Sequence, residues 1–108
     1  MVRDELIRRR ADAEAEAATL AGDLDALFAA SRGSNADDEH DPEGATIGFE
    51  RAQLTALLTA ARHRVTDVDD ALRRIDEGTY GVCEQCGRPI APDRLAVRPS
   101  ARRCIACA

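Results

Sequence analysis

A chain of 108 residues whose only rings are Phe28, Phe49 and Tyr80 cannot build a large apolar core, so its stability must come from helices packed along a narrow seam or from a cross-link. The formal net charge of −5 is unevenly spread: residues 1–79 carry 10 Arg against 18 acids, whereas residues 80–108 carry 5 Arg against 2 acids. The acidic part would be repelled by bare nucleic acid and drawn to a basic protein cavity, and no apolar run approaches the length of a membrane span.

At the amino end Arg3, Asp4 and Glu5 precede only Leu6 and Ile7, a pattern unlike a signal peptide, and the expected compartment is the cytoplasm. From Asp4 to about Ser31 the residues Leu6, Ala13, Leu20 and Leu27 recur every seven, interleaved with Arg10, Ala17, Leu24 and Ser31. That spacing is a heptad seam and predicts a first helix. Residues 32–45 collect glycines, a proline and acids and predict a bend. The seam resumes with Ile47, Leu54, Leu58, Ala61, Val65, Val68, Leu72 and Ile75, and Gly78 is placed to end the second helix. Two such stripes joined by a polar bend bury each other as an antiparallel pair. The expected class is therefore mostly α: an antiparallel two-helix coiled-coil hairpin over residues 1–79 with an acidic tip loop near 32–45, followed by a small module over residues 80–108.

That module carries Cys83-Glu84-Gln85-Cys86 and, after seventeen intervening residues, Cys104-Ile105-Ala106-Cys107. Two Cys-x-x-Cys pairs at this separation fit a four-cysteine zinc finger, in which each pair curls around one ion and Gly87 permits the tight turn after the second ligand. Cys83, Cys86, Cys104 and Cys107 are the predicted ligands of one structural Zn2+. Four protein ligands close the tetrahedron, which disfavours a catalytic metal. A redox dithiol pair or a disulfide framework is the competing reading. The first normally accompanies a βαβ pattern, absent here, and the second is rare in a reducing compartment. Arg88, Arg102 and Arg103 flank the ligands and are expected to favour the thiolate form.

The remaining chemistry is sparse. His40 and His63 have no evident catalytic partner, and the chain has no nucleophile elbow and no glycine-rich phosphate loop, so no enzyme is expected. The acids from Asp37 to Glu43 read either as a solvated loop or as a contact point for a partner. Arg94, Arg98, Arg102 and Arg103 could meet nucleic acid or an acidic protein surface, with Tyr80 the single ring available for stacking in the module.

The stretch Asp76-Glu77-Gly78-Thr79-Tyr80-Gly81-Val82-Cys83-Glu84-Gln85-Cys86-Gly87-Arg88-Pro89-Ile90, followed by Arg98-Pro99 and Cys104-Ile105-Ala106-Cys107, resembles the DksA/TraR family of zinc-finger proteins. The resemblance implies a bacterial transcription regulator that binds RNA polymerase directly, without DNA or membrane contact, and inserts its coiled coil into the secondary channel to modulate initiation. It also implies a partner-binding tip at Asp41, Pro42, Glu43 and Gly44. Family members carry Asp-Pro-x-Asp-x-Ala there; this chain keeps Asp41 and Pro42 but has Gly44 and Thr46 at the later positions. Asp67, Asp69 and Asp70 stand where alarmone-responsive members have basic residues, and the expectation is that they repel the polyphosphate ppGpp. The sequence stops one residue after Cys107, where many relatives continue into a helix, so the expected grip at the channel rim is weaker. The alternative reading is a zinc-ribbon adapter that binds nucleic acid or another protein through its Arg-rich carboxy-terminal module.

Overall fold

The computed structural model describes residues 1–33 and 42–108, with side chains described for residues 1–30 and 46–108. The protein is mostly α, with α1 (Val2–Gly33), α2 (Pro42–Glu77) and the short α3 (Pro92–Val97). Among the described residues there is no strand, and one antiparallel bridge joins Val82 and Pro89. Helix α1 is rich in Ala, Leu, Arg and Glu, all strong helix formers, and Asp4 and Glu5 in its first turn oppose the helix dipole. Helix α2 opens on Pro42, whose fixed φ suits a first helical position and whose missing N–H would have had no partner there. Both helices therefore reach into the segment expected as a bend. His40, Asp41 and the rest of 34–41 lie outside the described residues, as do the side chains of Pro42, Glu43 and Gly44.

Helix α2 stops where the sequence indicates. Gly78 takes φ of 78°, its N–H bonds the Ile75 carbonyl at 3.2 Å, and the Thr79 N–H reaches back to the Arg74 carbonyl at 2.9 Å. These two bonds are the paired 5→2 and 6→1 contacts of a Schellman cap, which only a residue free to adopt positive φ makes without strain.

The chain forms two compact units, one of Met1–Asp12 with Arg64–Ala108 and the other of Ala13–His63. In the first, Leu6, Val68 and Ala71 make the core, with Leu72, Ile75 and Tyr80 packed against it. Arg3 pairs with Asp76 at 2.7 Å and Arg10 with Asp69 at 2.5 Å. Seven residues forward on α1 thus correspond to seven backward on α2, the register of an antiparallel heptad pair. Arg10, a charge at a core-type position, is tolerated because its guanidinium reaches Asp69 at the edge of the seam.

In the second unit Ala13, Leu58 and Ala61 are buried, and Ala17, Leu20, Leu24, Leu27, Ile47 and Leu54 are half-buried. The Arg51 guanidinium lies 5.5 Å from the centre of the Phe28 ring, a cation–π contact between the two helices. Every expected seam residue with a described side chain is buried or half-buried.

Candidate metal centre

The finger begins directly after the α2 cap. The Ile90 N–H bonds the Gly81 carbonyl at 2.7 Å and the Cys83 N–H bonds the Arg88 carbonyl at 2.8 Å, two rungs that fold residues 81–90 back on themselves. Within this loop the Gly87 N–H returns to the Cys83 carbonyl at 3.0 Å and closes the first knuckle, with Gly87 at φ of 75°. The Cys107 N–H closes the second knuckle onto the Cys104 carbonyl, also at 3.0 Å. A bond of 3.0 Å from the Glu84 N–H to the Arg102 carbonyl ties one knuckle to the approach of the other. Between them lies α3, which the sequence reading missed. Its signals were present: Pro92 at the first position, Asp93 in the first turn and Arg94 in the last.

This folding brings Cys83, Cys86, Cys104 and Cys107 together, with all four sulfurs within 4.8 Å of one another. The Sγ atoms of Cys86 and Cys104 are 3.7 Å apart. A tetrahedral zinc with bonds of about 2.3 Å to sulfur requires S···S edges of about 3.8 Å, so the cluster is the right size for one ion. Its charge preferences agree. Backbone N–H groups of Cys104, Cys86 and Gln85 draw the Cys83 thiol down to about 6, although burial opposes them. Cys107 is pushed up to about 12, first by its hydrogen bond with Cys104, then by burial and the other sulfurs. One thiolate is readily formed, but four side by side require a cation among them.

The finger is fastened to α2 by a polar cluster. Arg74, 8% exposed, donates to the carbonyls of Ala101 and Ser100, each at 3.3 Å, and pairs with Asp70 at 3.4 Å. Asp70 also receives Arg102 at 3.1 Å and bonds Arg73. Burial works to raise the Asp70 carboxyl, but the Arg73 hydrogen bond and the charges of Arg102, Arg73 and Arg74 outweigh it and hold the carboxyl below its ordinary value. The Tyr80 hydroxyl donates to the Pro99 carbonyl at 2.7 Å, and burial raises its pKa. Tyr80 is thus a half-buried strut rather than an open stacking surface.

The three aspartates of α2 have arginine partners: Asp67 faces Arg102 at 3.8 Å, Asp69 pairs with Arg10, and Asp70 is surrounded by three arginines. Arg102 and Arg103, beside the ligands, also reach the carboxylates of Asp70 and Glu84 respectively. Sequence reasoning missed Arg74 because a charge on a helix reads as solvated, and missed Ala71 because it falls between the seam positions. His63 is exposed.

Residues 78–108 match the family described as the prokaryotic dksA/traR C4-type zinc finger. The carboxy-terminal segment is thus a DksA/TraR-type finger. The DksA/TraR match is therefore centred on the finger, and the four clustered cysteines fit one structural zinc. The chain is 48% identical over 47 residues to the RNA polymerase-binding transcription factor DksA of Caulobacter vibrioides, a match covering 42% of this chain and 33% of that protein. It is 38% identical over 64 residues to the YteA protein of Bacillus subtilis (strain 168), covering 59% of this chain and 27% of YteA. The match thus spans about a third or less of each of these two relatives. The solved structure of transcription factor DksA2 from Pseudomonas aeruginosa covers much more: 98% of this chain and 76% of that one, with a TM-score of 0.79 and 29% identity. The DksA-like fold thus extends over the helices as well as the finger.

Proposed function

We propose that this protein is a non-enzymatic regulator of bacterial transcription that binds RNA polymerase directly and acts from the cytoplasm. In this reading the helical hairpin, residues 1–79, enters the secondary channel and modulates initiation, with Asp41, Pro42, Glu43 and Gly44 at its effector end. The finger, residues 80–108, is a foot held by Cys83, Cys86, Cys104 and Cys107 around one Zn2+. The single observation that carries the reading is the likeness to DksA2 over 98% of this chain, since it extends beyond the finger to both long helices. An acidic hairpin suits a basic cavity in a protein. The proposed action is independent of ppGpp, because Asp67, Asp69 and Asp70 are matched by arginines of this chain and offer a phosphate no net positive charge.

The adapter reading, in which the Arg-rich module binds nucleic acid, draws less support. Arg94 donates to the Arg103 carbonyl at 2.9 Å, Arg102 pairs with Asp70 and Arg103 with Glu84 at 3.3 Å, so three of the five arginines of the finger are engaged within it or on α2. Co-purification of the zinc-loaded chain with core RNA polymerase tests the proposal. Stoichiometric binding that a second secondary-channel factor displaces is the expected result; no binding at moderate salt refutes it.

A further inference from the structure

Of the finger's exposed large apolar side chains, two are left largely uncovered: Val97 is 72% exposed and Ile105 82% exposed, against 41% for Val82. They are not scattered. Together with Ala91, Asp93, Arg94 and Arg98 they line one cleft of about 330 Å³ between α3 and the second knuckle. A second, more polar cleft of about 370 Å³ adjoins it, lined among others by Arg94, Arg98, Arg102 and Arg103, so Arg94 and Arg98 form the wall common to both.

Both apolar residues are held in place. Ile105 sits in the turn between two sulfur ligands, closed by the Cys107 to Cys104 backbone bond. Val97 is the last residue of α3, where the Arg98 N–H bonds the Arg94 carbonyl at 2.7 Å, and the Arg94 side chain is anchored to the Arg103 carbonyl. A rigid apolar notch beside a basic wall loses little side-chain entropy on binding, the property of an anchor site rather than of incidental exposure.

The geometry points to a docking cleft for a protein segment that offers one aliphatic side chain flanked by carboxylates. The aliphatic group would fill the space between Val97 and Ile105, while the acids meet Arg98 and Arg94 on the wall of the cleft. Charge complementarity selects this occupant: in the cleft's lining Arg94 and Arg98 outnumber Asp93. A nucleic acid would satisfy the arginines but gains nothing from an aliphatic notch, and no ring lines the cleft for a base to stack on. The inference goes beyond the polymerase reading, because it concerns the finger's outer face and requires no particular partner.

The test is titration of the isotope-labelled, zinc-loaded full chain with a synthetic peptide bearing one Leu between Asp and Glu residues, followed by amide chemical shifts. Saturable shifts at Val97, Arg98 and Ile105 are expected, with a dissociation constant of about 1 mM for so short a probe. Ile105→Glu should weaken the response by about tenfold or more with zinc content unchanged, and Val97→Glu provides the same readout should the first variant lose its metal. Peptides with Leu replaced by Ala, or with the acids replaced by Lys, should fail. Equal shifts with the Lys peptide, or shifts confined to other residues, would overturn the assignment. So would concentration-dependent shifts at these amides without peptide, which would give the cleft to a second copy of the chain. Since the probe contains no polymerase, this result and the co-purification result are separable.

Discussion

Residues 80–108 bury only Cys83, Ile90, Pro99 and Ala101, and α3 contributes no buried residue, yet the segment adopts a defined double-knuckle fold. The long helices bury Leu6, Ala13, Leu58, Ala61, Val68 and Ala71 in a repeating stripe. The two regions share a shortage of large apolar groups but overcome it differently. The helices repeat a modest contact every heptad, so no single residue decides their formation. The finger concentrates its stability at one point, four sulfurs around an ion, and spends its backbone hydrogen bonds on presenting those sulfurs. The contrast predicts that the finger fails all at once and the seam by degrees.

The largest effect should follow metal removal. In isolated zinc-finger peptides the metal supplies roughly 10 kcal/mol or more of folding free energy. Chelation, or Cys83→Ser, is expected to abolish amide-exchange protection at Cys83, Ile90 and Cys107 while protection at Leu54 and Leu58 persists. Retained protection across residues 80–108 without metal would erase the distinction between the regions.

Next comes the seam. Leu6 is fully buried, and Leu6→Ala should cost about 2–4 kcal/mol in chemical denaturation, because the removed side chain leaves a cavity against Val68 and Ala71. A change within error would mean that the helix ends are not packed.

Arg74 joins the two regions. Arg74→Met keeps the aliphatic stem but leaves the carbonyls of Ala101 and Ser100 without their donors, and a loss of about 1–3 kcal/mol is expected. The sharper readout is zinc affinity, which should fall as well if the bridge fastens the finger to α2; unchanged affinity would show the finger to be self-contained.

The smallest effect belongs to the exposed helix surface. Glu5 is held below its ordinary value of 4.5 by hydrogen bonds from Arg9 and Arg8. A depressed carboxyl stabilises the folded state above its unfolded value and loses that contribution as the pH falls through its folded value. Glu5→Gln should therefore lower the thermal midpoint slightly at pH 7, and the difference should shrink as the pH falls below 4.5 and vanish below the carboxyl's folded value. A difference that persists in acid would not be ionic.

How much of this was legible in the sequence follows from the same contrast. The seam was readable because its signal is local and repeated: Leu54, Leu58, Ala61, Val65 and Val68 announce their shared face through spacing alone. The sulfur cluster was readable because two tight Cys pairs have few other uses, and Gly78 marked the helix end by the one conformation it permits. What escaped depended on partners distant in sequence. Asp69 looks repulsive until Arg10, on the other helix, is set beside it. Asp70 looks the same until Arg102 arrives from the finger, and burial of Arg74 depends on carbonyls at Ser100 and Ala101. The exposure of Val97 and Ile105 was equally hidden, since neither belongs to a repeating stripe.

The functional claim is tested most directly by a density map of the zinc-loaded chain bound to core RNA polymerase. The expected map has α1 and α2 inside the secondary channel, residues 41–44 directed at the active centre, and the finger outside the channel. A map with the hairpin outside the channel, or with the chain attached through nucleic acid alone, would contradict it.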